Sequence, residues 1–261
     1  MTVAVVTGAA RGMGRSCVES LRGLAQHLVA VDLVAPEIEG TLGLSCDISD
    51  PVATGALVAR VSALGPFRAL AHVAGISPTM ADARRIFDVD LVATQRLLDA
   101  FEPLVVPGSA AVCFSSLAAY QIAPFADPAL DPLIDDPLAA GFLDQITAQV
   151  ADPGFAYGLA KRGVVRASAR AAVRWGPRGG RVNSLAPGII DTPMGRQELE
   201  QQAVMRTMME QAPLGRLGRS DEVAAVAAFL LSDDASFVSG IDVLVDGALL
   251  PGLAAAASTA P

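Results

Sequence analysis

The chain has 261 residues, 52% of them apolar and 18% charged, with a formal net charge of −8. That length suits one large α/β domain or two small ones, the composition excludes a disordered chain, and the negative charge argues against nucleic acid or an anionic membrane surface as a partner. No apolar run approaches the 18 or so residues of a membrane span, so a soluble protein is expected, and the start MTVAVVTG reads as a strand rather than a signal peptide. Cys17, Cys46 and Cys113 are odd in number and lie in or beside apolar stretches, which points to reduced structural thiols in a cytoplasmic protein. Neither His27 nor His72 has the neighbours of a metal site, and no metal is expected.

Taken in order, Thr2 to Thr7 is a β-branched run that enters Gly8-Ala9-Ala10-Arg11-Gly12-Met13-Gly14, after which Ser16 to Leu24 has helical spacing. Strand, glycine turn and helix bring backbone N–H groups and a helix N-terminus to a pyrophosphate. A generic glycine loop is the plainer alternative, and the flanking elements favour nucleotide binding. The second strand, His27 to Val31, ends in Asp32 followed by Leu33. A carboxylate there can accept both ribose hydroxyls of an adenosine and would repel a 2′-phosphate, so NAD is favoured over NADP, although Arg11 could pair with that phosphate.

Leu42 to Cys46 is the third strand, with Asp47-Ile48 at its exit and a helix from Val52 to Leu64 after it. Asp47 can accept the adenine amino group or serve as a turn or capping residue. Ala69 to Val73 is the fourth strand, Ala74-Gly75 allows close approach to a nicotinamide ribose, and a helix is expected from Ala81 to Phe101. The fifth strand, Ala110 to Ser115, carries Ser116 at its carboxyl end, where ligands bind in open parallel sheets.

The segment between Ser116 and Tyr157 holds no Lys or Arg but six aspartates and five prolines. A short helix is expected within Leu138 to Val150, and the segment reads either as a surface insertion or as a lid over an apolar substrate. Tyr157 and Lys161 lie one helical turn apart on a helix that Gly176-Pro177 stops. An ammonium there would lower the pKa of the phenol and fit it for acid/base work. Arg181 to Leu185 is the sixth strand and runs into Ala186-Pro187-Gly188-Ile189-Ile190-Asp191-Thr192. Met194 to Gln211 has helical spacing, and its methionines suit either an adaptable apolar site or core filling. Ser220 is expected to cap a helix to Leu231, Val243 to Gly247 to form a seventh strand, and the Ala-rich tail from Pro251 to fray.

Alternating strands and helices without a repeat imply a single Rossmann-type, doubly wound parallel sheet over residues 1–250, with an insertion at about 120–153 and a tail at 251–261. The motifs Thr7-Gly8-x3-Gly12-x-Gly14, Asp32, Ser116, Tyr157-x3-Lys161, Asn183-x3-Pro187-Gly188 and Val245-Asp246-Gly247 resemble the short-chain dehydrogenase/reductase family over nearly the whole chain.

That resemblance implies Tyr157 as acid/base, Ser116 polarising the substrate oxygen, and Lys161 binding the nicotinamide ribose while lowering the tyrosine pKa. It also implies that Pro187, Gly188, the backbone at Ile190 and the Thr192 hydroxyl hold the carboxamide end of the cofactor. Two positions depart from the family. His72-Val73-Ala74-Gly75 stands where Asn-Asn-Ala-Gly is usual, and Asp90 replaces a catalytic Asn; it could still accept a hydrogen bond from a relay water or from Lys161, but it adds a charge. Some 28 residues are inserted before the Tyr-Lys helix, a feature similar to bacterial 3α-hydroxysteroid dehydrogenase/carbonyl reductases. The family packs that helix against a symmetry mate, so a homodimer or homotetramer with an altered version of that interface is expected. The resemblance implies an NAD-dependent oxidoreductase acting on a small hydrophobic alcohol or ketone such as a 3-hydroxysteroid. The alternatives are an NADPH-dependent 3-ketoacyl-carrier-protein reductase, which the acidic segment disfavours, and a catalytically silent nucleotide sensor, which Asp90 leaves open.

Overall fold

A computed structural model describes residues 1–201 and 203–259. β1 (Val3–Thr7), β2 (His27–Asp32), β3 (Leu42–Ser45), β4 (Phe67–His72), β5 (Ala110–Phe114), β6 (Arg181–Pro187) and β9 (Asp242–Val245) form one sheet in the order β3-β2-β1-β4-β5-β6-β9. Every pairing in it is parallel. The order reverses between β1 and β4, and a crevice opens outside the carboxyl ends of strands at such a point. A second, two-stranded parallel sheet pairs β7 (Ile190–Asp191) with β8 (Gly218–Arg219), an element the sequence does not suggest.

Both faces of the main sheet are buried, which is why its strands read as continuous apolar runs. On one face the core gathers Phe67, Phe101 and Trp175, with ring centroids 5.0 and 6.0 Å from Phe67, beside α2 (Pro51–Leu64), α4 (Ala93–Phe101) and α8 (Pro153–Trp175). On the other face Cys17, Val18 and Leu21 from α1 (Gly12–Ser20) meet Val223, Ala227 and Leu230 from α11 (Ser220–Leu231). The three cysteines are free and buried, and burial pushes the Cys17 and Cys113 thiols up to about 12.

Several expectations need correction. The helix expected from Ala81 begins as α3 (Ala83–Ile86), capped by Asp82, and passes through a π-helical turn, Phe87–Val92, into α4. That turn carries Asp90 to a fully buried position. Helix α11 starts at Ser220 itself, and the backbone N–H of Arg219 is accepted by Glu222, so Ser220 is not the cap. The helical reading of the 194–211 stretch holds over its described residues, α9 (Pro193–Gln201) and α10 (Ala203–Glu210). Over its described residues the tail is helical: in α12 (Leu249–Thr259) Ala and Leu favour helix, and Leu249 and Leu253 pack with Met205, Met208 and Met209.

The insertion forms α5 (Ala118–Gln121), α6 (Asp131–Asp135) and α7 (Phe142–Gln149). Leu130, Ile134, Phe142 and Ile146 are buried against Phe87, Leu91, Leu159 and Ala160, a satellite core shared with the π turn and α8. Its acidity has a structural use. Asp131 pairs with Arg162 (2.9 Å) and Arg166 (3.2 Å), and Asp135 with Arg166 and Arg170, all three arginines on α8. Asp144 meets Arg84 at 2.6 Å, while Asp127 and Asp152 accept the backbone N–H of Ala129 and Phe155. The absence of basic residues within the segment is therefore answered by arginines outside it, and much of its charge is neutralised internally.

Candidate active site

The glycine loop is shaped by backbone crowding. Gly8 and Gly12 have φ of 68° and 55°, a region that strains residues bearing a Cβ. A Cβ at Gly14 would overlap the carbonyl of Gly8, and one at Gly8 would come within 2.8 Å of the Ala74 nitrogen. Asp32 at the end of β2 accepts the N–H of Ala10 (2.9 Å) and of Leu33 (2.8 Å), which ties the loop to the second strand.

Around this loop lies a cavity of about 210 Å³. Of the residues expected to hold a dinucleotide, Gly8, Arg11, Gly12, Met13, Gly14, Asp32, Leu33, Asp47, Ile48, Ala74, Gly75 and Thr192 all line it. Asp47 also serves as a turn residue, since Ser49 donates to it through both N–H (2.9 Å) and hydroxyl (2.7 Å), which holds its carboxyl below the usual range. A glycine-lined concavity beside a helix N-terminus, with a carboxylate at the ribose end, fits a nicotinamide dinucleotide.

A second cavity, about 340 Å³, adjoins the first and shares Met13, Thr192 and Met194 with it. Ser116, Tyr157, Pro187, Gly188 and Ile190 line it, whereas Lys161 and Asp90 line neither cavity. Thr192 is fixed by accepting the Gly195 N–H at 2.9 Å. The Ser116 hydroxyl and the Tyr157 phenol line this cavity together, and Lys161 on the next turn of α8 is buried, donating to the Phe114 carbonyl at 3.1 Å. Its Nζ lies 5.6 Å from the Tyr157 ring centroid and 3.8 Å from Asp90 Oδ1.

The expected depression of the Tyr157 pKa is not what the site produces. Burial raises it, and the negative charges of Asp90 and Glu198 raise it further, against a smaller lowering by the Ser116 hydrogen bond. Asp90 Oδ1 also accepts the Ile76 N–H at 2.9 Å, while Oδ2 is buried with no partner among the described residues. Burial raises the Asp90 pKa more than Lys161 and the Ile76 N–H lower it. Gly75 is needed beside this pair, because a Cβ there would lie 2.8 Å from the carboxylate and 3.1 Å from the ammonium.

His72 is held between two hydroxyls. Its Nδ1 is 2.8 Å from the Thr7 hydroxyl and its Nε2 is 2.9 Å from that of Thr94, which itself donates to the Asp90 carbonyl at 2.7 Å. Because the Thr94 proton is committed to that carbonyl, the imidazole carries its proton on Nε2 and accepts from Thr7 on Nδ1. Thr7 in turn accepts the Ala74 N–H at 3.3 Å. Burial, helped by the charge of Lys161, pushes the His72 pKa down to about 3, so the ring is neutral.

The substrate side corrects the lid expectation. From the insertion only Gln121 and Ile122, at its start, line the second cavity among the described residues, with Ala118 just before it and Gly154 just past its end. The outer wall comes from Met194, Gly195 and Glu198 of α9 and Val204, Met205 and Met208 of α10. Glu198 was not among the expected site residues. Its one sequence signal is its place a helical turn after Met194. No helix among the described residues is long and apolar enough to cross a membrane, and no cluster of metal-ligating side chains occurs among them.

A family model described as Enoyl-(Acyl carrier protein) reductase matches residues 142–249. The short-chain dehydrogenase/reductase bsc3 of Alternaria brassicicola is 36% identical over 197 residues, 73% of this chain and 71% of that protein. The 3-alpha-hydroxysteroid dehydrogenase/carbonyl reductase of Comamonas testosteroni is 28% identical over 257 residues, 95% of this chain and 96% of that protein. Among solved structures, the 3-alpha-hydroxysteroid dehydrogenase from Pseudomonas sp. B-0831 complexed with NADH superposes with a TM-score of 0.80. It is 29% identical, with 96% of this chain and 98% of that one covered.

Proposed function

The chain belongs to the short-chain dehydrogenase/reductase family, and on that footing we propose that it is an NAD-dependent enzyme interconverting a hydrophobic secondary alcohol, such as a 3-hydroxysteroid, and its ketone. The observation that carries this reading is the meeting of two cavities: Ser116 and Tyr157 line the larger one, which shares Met13, Thr192 and Met194 with the glycine-loop cavity. When bound, the nicotinamide supplies the acceptor or donor of hydride.

The chain's own residues do the rest. Tyr157 takes the hydroxyl proton during oxidation and returns it during reduction, and Ser116 donates a hydrogen bond to the same substrate oxygen. Lys161, held by the Phe114 carbonyl and by Asp90, is aimed between the Tyr157 ring and Gly75, where it can bind ribose hydroxyls. With burial raising the Tyr157 pKa, oxidation needs positive charge brought into the site or alkaline pH to release the phenolic proton.

NAD is favoured because the Asp32 carboxylate, pinned by two backbone N–H groups, occupies the ribose end of the first cavity and would repel a 2′-phosphate. The steroid assignment draws on the apolar methionine wall and on the hydroxysteroid enzymes among the relatives. A reductase of carrier-bound acyl groups is the second reading, favoured by the description of the matching family model and opposed by Asp32. The free, buried thiols suit a cytoplasmic protein. A homo-oligomer remains part of the proposal, with the α8 face that carries Arg162, Arg166 and Arg170 already covered by α6.

The test follows nicotinamide absorbance with NAD⁺ and NADP⁺ over a panel of secondary alcohols that includes 3-hydroxysteroids, for wild type and Tyr157→Phe. Turnover with NAD⁺ that falls by about 10²- to 10⁴-fold in the variant supports the reading. Turnover restricted to NADP⁺ overturns the role of Asp32, and NADH binding without any turnover favours a sensor.

A further inference from the structure

The substrate cavity holds one ionisable side chain that the alcohol chemistry does not use. Its polar lining at the reacting end is Ser116 and Tyr157; farther round the wall stand Gln121 and Glu198, and most of the remainder is apolar. Gln121 Nε2 is turned to the sulfur of Met208 at 3.5 Å. Burial raises the Glu198 pKa, against a smaller lowering by the nearby Ser77 hydroxyl, which is itself 2.9 Å from that of Thr79. Among the described residues no Lys or Arg pairs with Glu198.

An unpaired carboxylate in such a wall is unfavourable twice over. Its desolvation is uncompensated, and its charge opposes ionisation of the Tyr157 phenol across the cavity. A wholly apolar substrate would deepen both costs by removing the remaining water. A substrate with an N–H or O–H donor at this wall relieves them, and a site built to receive a hydrogen bond rejects an analogue that lacks the donor far more strongly than an apolar wall rejects a missing methylene.

We propose that Glu198 is a specificity-determining residue that accepts a hydrogen bond from a second donor group, a hydroxyl or an ammonium, on a substrate whose remaining body is apolar. The inference rests on the reading of this cavity as the place where the alcohol reacts. Its physiological substrate class is thus a diol, hydroxyketone or amino alcohol on an apolar frame rather than a simple hydrophobic alcohol.

The experiment compares cyclohexanol with the 1,2-, 1,3- and 1,4-cyclohexanediols and 4-aminocyclohexanol as ligands of the full-length protein. Calorimetric titration in the presence of NADH gives binding, and NAD⁺ reduction gives kcat/KM. Wild type is expected to bind at least one difunctional ring alcohol about tenfold more tightly than cyclohexanol, with E198L bringing that ratio close to one. E198Q, which keeps the side-chain shape and one acceptor oxygen without the charge, separates the two donor chemistries: a diol preference survives it and an ammonium preference does not. It also decides the matter if E198L fails to give the wild-type circular dichroism spectrum. No preference in wild type, or the same preference in both variants, overturns the assignment and leaves Glu198 as a residue of the wall without a role in selection. Preferential binding with no hydride transfer to any of these alcohols overturns the dehydrogenase reading and leaves the Glu198 assignment standing, whereas turnover without preference does the reverse.

Discussion

The two sides of the site are held by different physics. Under the cofactor cavity a chain of uncharged groups, Ala74 N–H, Thr7, His72, Thr94 and the Asp90 carbonyl, joins β1, β4 and the π turn, with every side chain buried or nearly so. Beyond the substrate cavity the insertion is fastened to α8 by carboxylates and guanidinium groups about a third exposed. A buried neutral chain is unforgiving of an added proton but indifferent to salt. Partly exposed ion pairs are each worth little and are screened by salt. The cofactor side is thereby rigid and pH-limited, and the insertion is attached chiefly by its apolar contacts through Leu130, Ile134, Phe142 and Ile146.

The largest expected effect breaks the neutral chain with acid. The His72 pKa is lowered on folding, from 6.5 to about 3, so the stability it contributes is fully present above pH 6.5 and is lost as pH falls toward 3. The full loss is on the order of 4–5 kcal/mol. Urea unfolding of wild type across that window should show a steep decline that His72→Asn flattens, and an equal slope in both would dissociate the imidazole from acid lability. Next in size is crowding in the glycine loop. Gly14→Ala drives a methyl into the Gly8 carbonyl and should weaken NADH binding by about 2–3 kcal/mol, read by nucleotide fluorescence, because overpacked interiors must shift their backbone.

A smaller change tests the buried carboxylate. Asp90 raises the Tyr157 pKa, so Asp90→Asn should move the alkaline limb of kcat/KM for oxidation to lower pH by about one unit. A limb that does not move would mean that Asp90 is protonated in the working site. The smallest effect belongs to the insertion. The double variant Asp131→Asn/Asp135→Asn should cost about 1 kcal/mol, a few degrees in Tm. About 0.5 M salt should erase most of the difference. A loss several times larger would show that the ion pairs, not the apolar contacts, attach α6.

Much of this architecture is readable without coordinates where function lies at strand ends. The loop from Gly8 to Gly14, Asp32, Ala74-Gly75, Ser116 and Pro187-Gly188 each follow a short apolar run, and a parallel sheet gathers all such ends on one edge. Helical contributions are less legible. The π turn at Phe87–Val92 has no marker in its sequence, yet it turns Asp90 inward. The aspartates of the insertion suggest a solvated segment until Arg162, Arg166 and Arg170 are found opposite them. The tail composition reads as loose only while its apolar partners on α10 are unknown.

By itself the sequence determined the alternation of strands and helices, the glycine turn, the carboxylate at the second strand and the Tyr157–Lys161 turn, because these depend on period and near-neighbour sterics. Tertiary structure alone decided the tautomer of His72, the direction of the Tyr157 pKa, the outer wall of the substrate cavity and the presence of Glu198 in it. Those properties depend on which faces of distant segments meet and on how much water they exclude, and no local pattern encodes either.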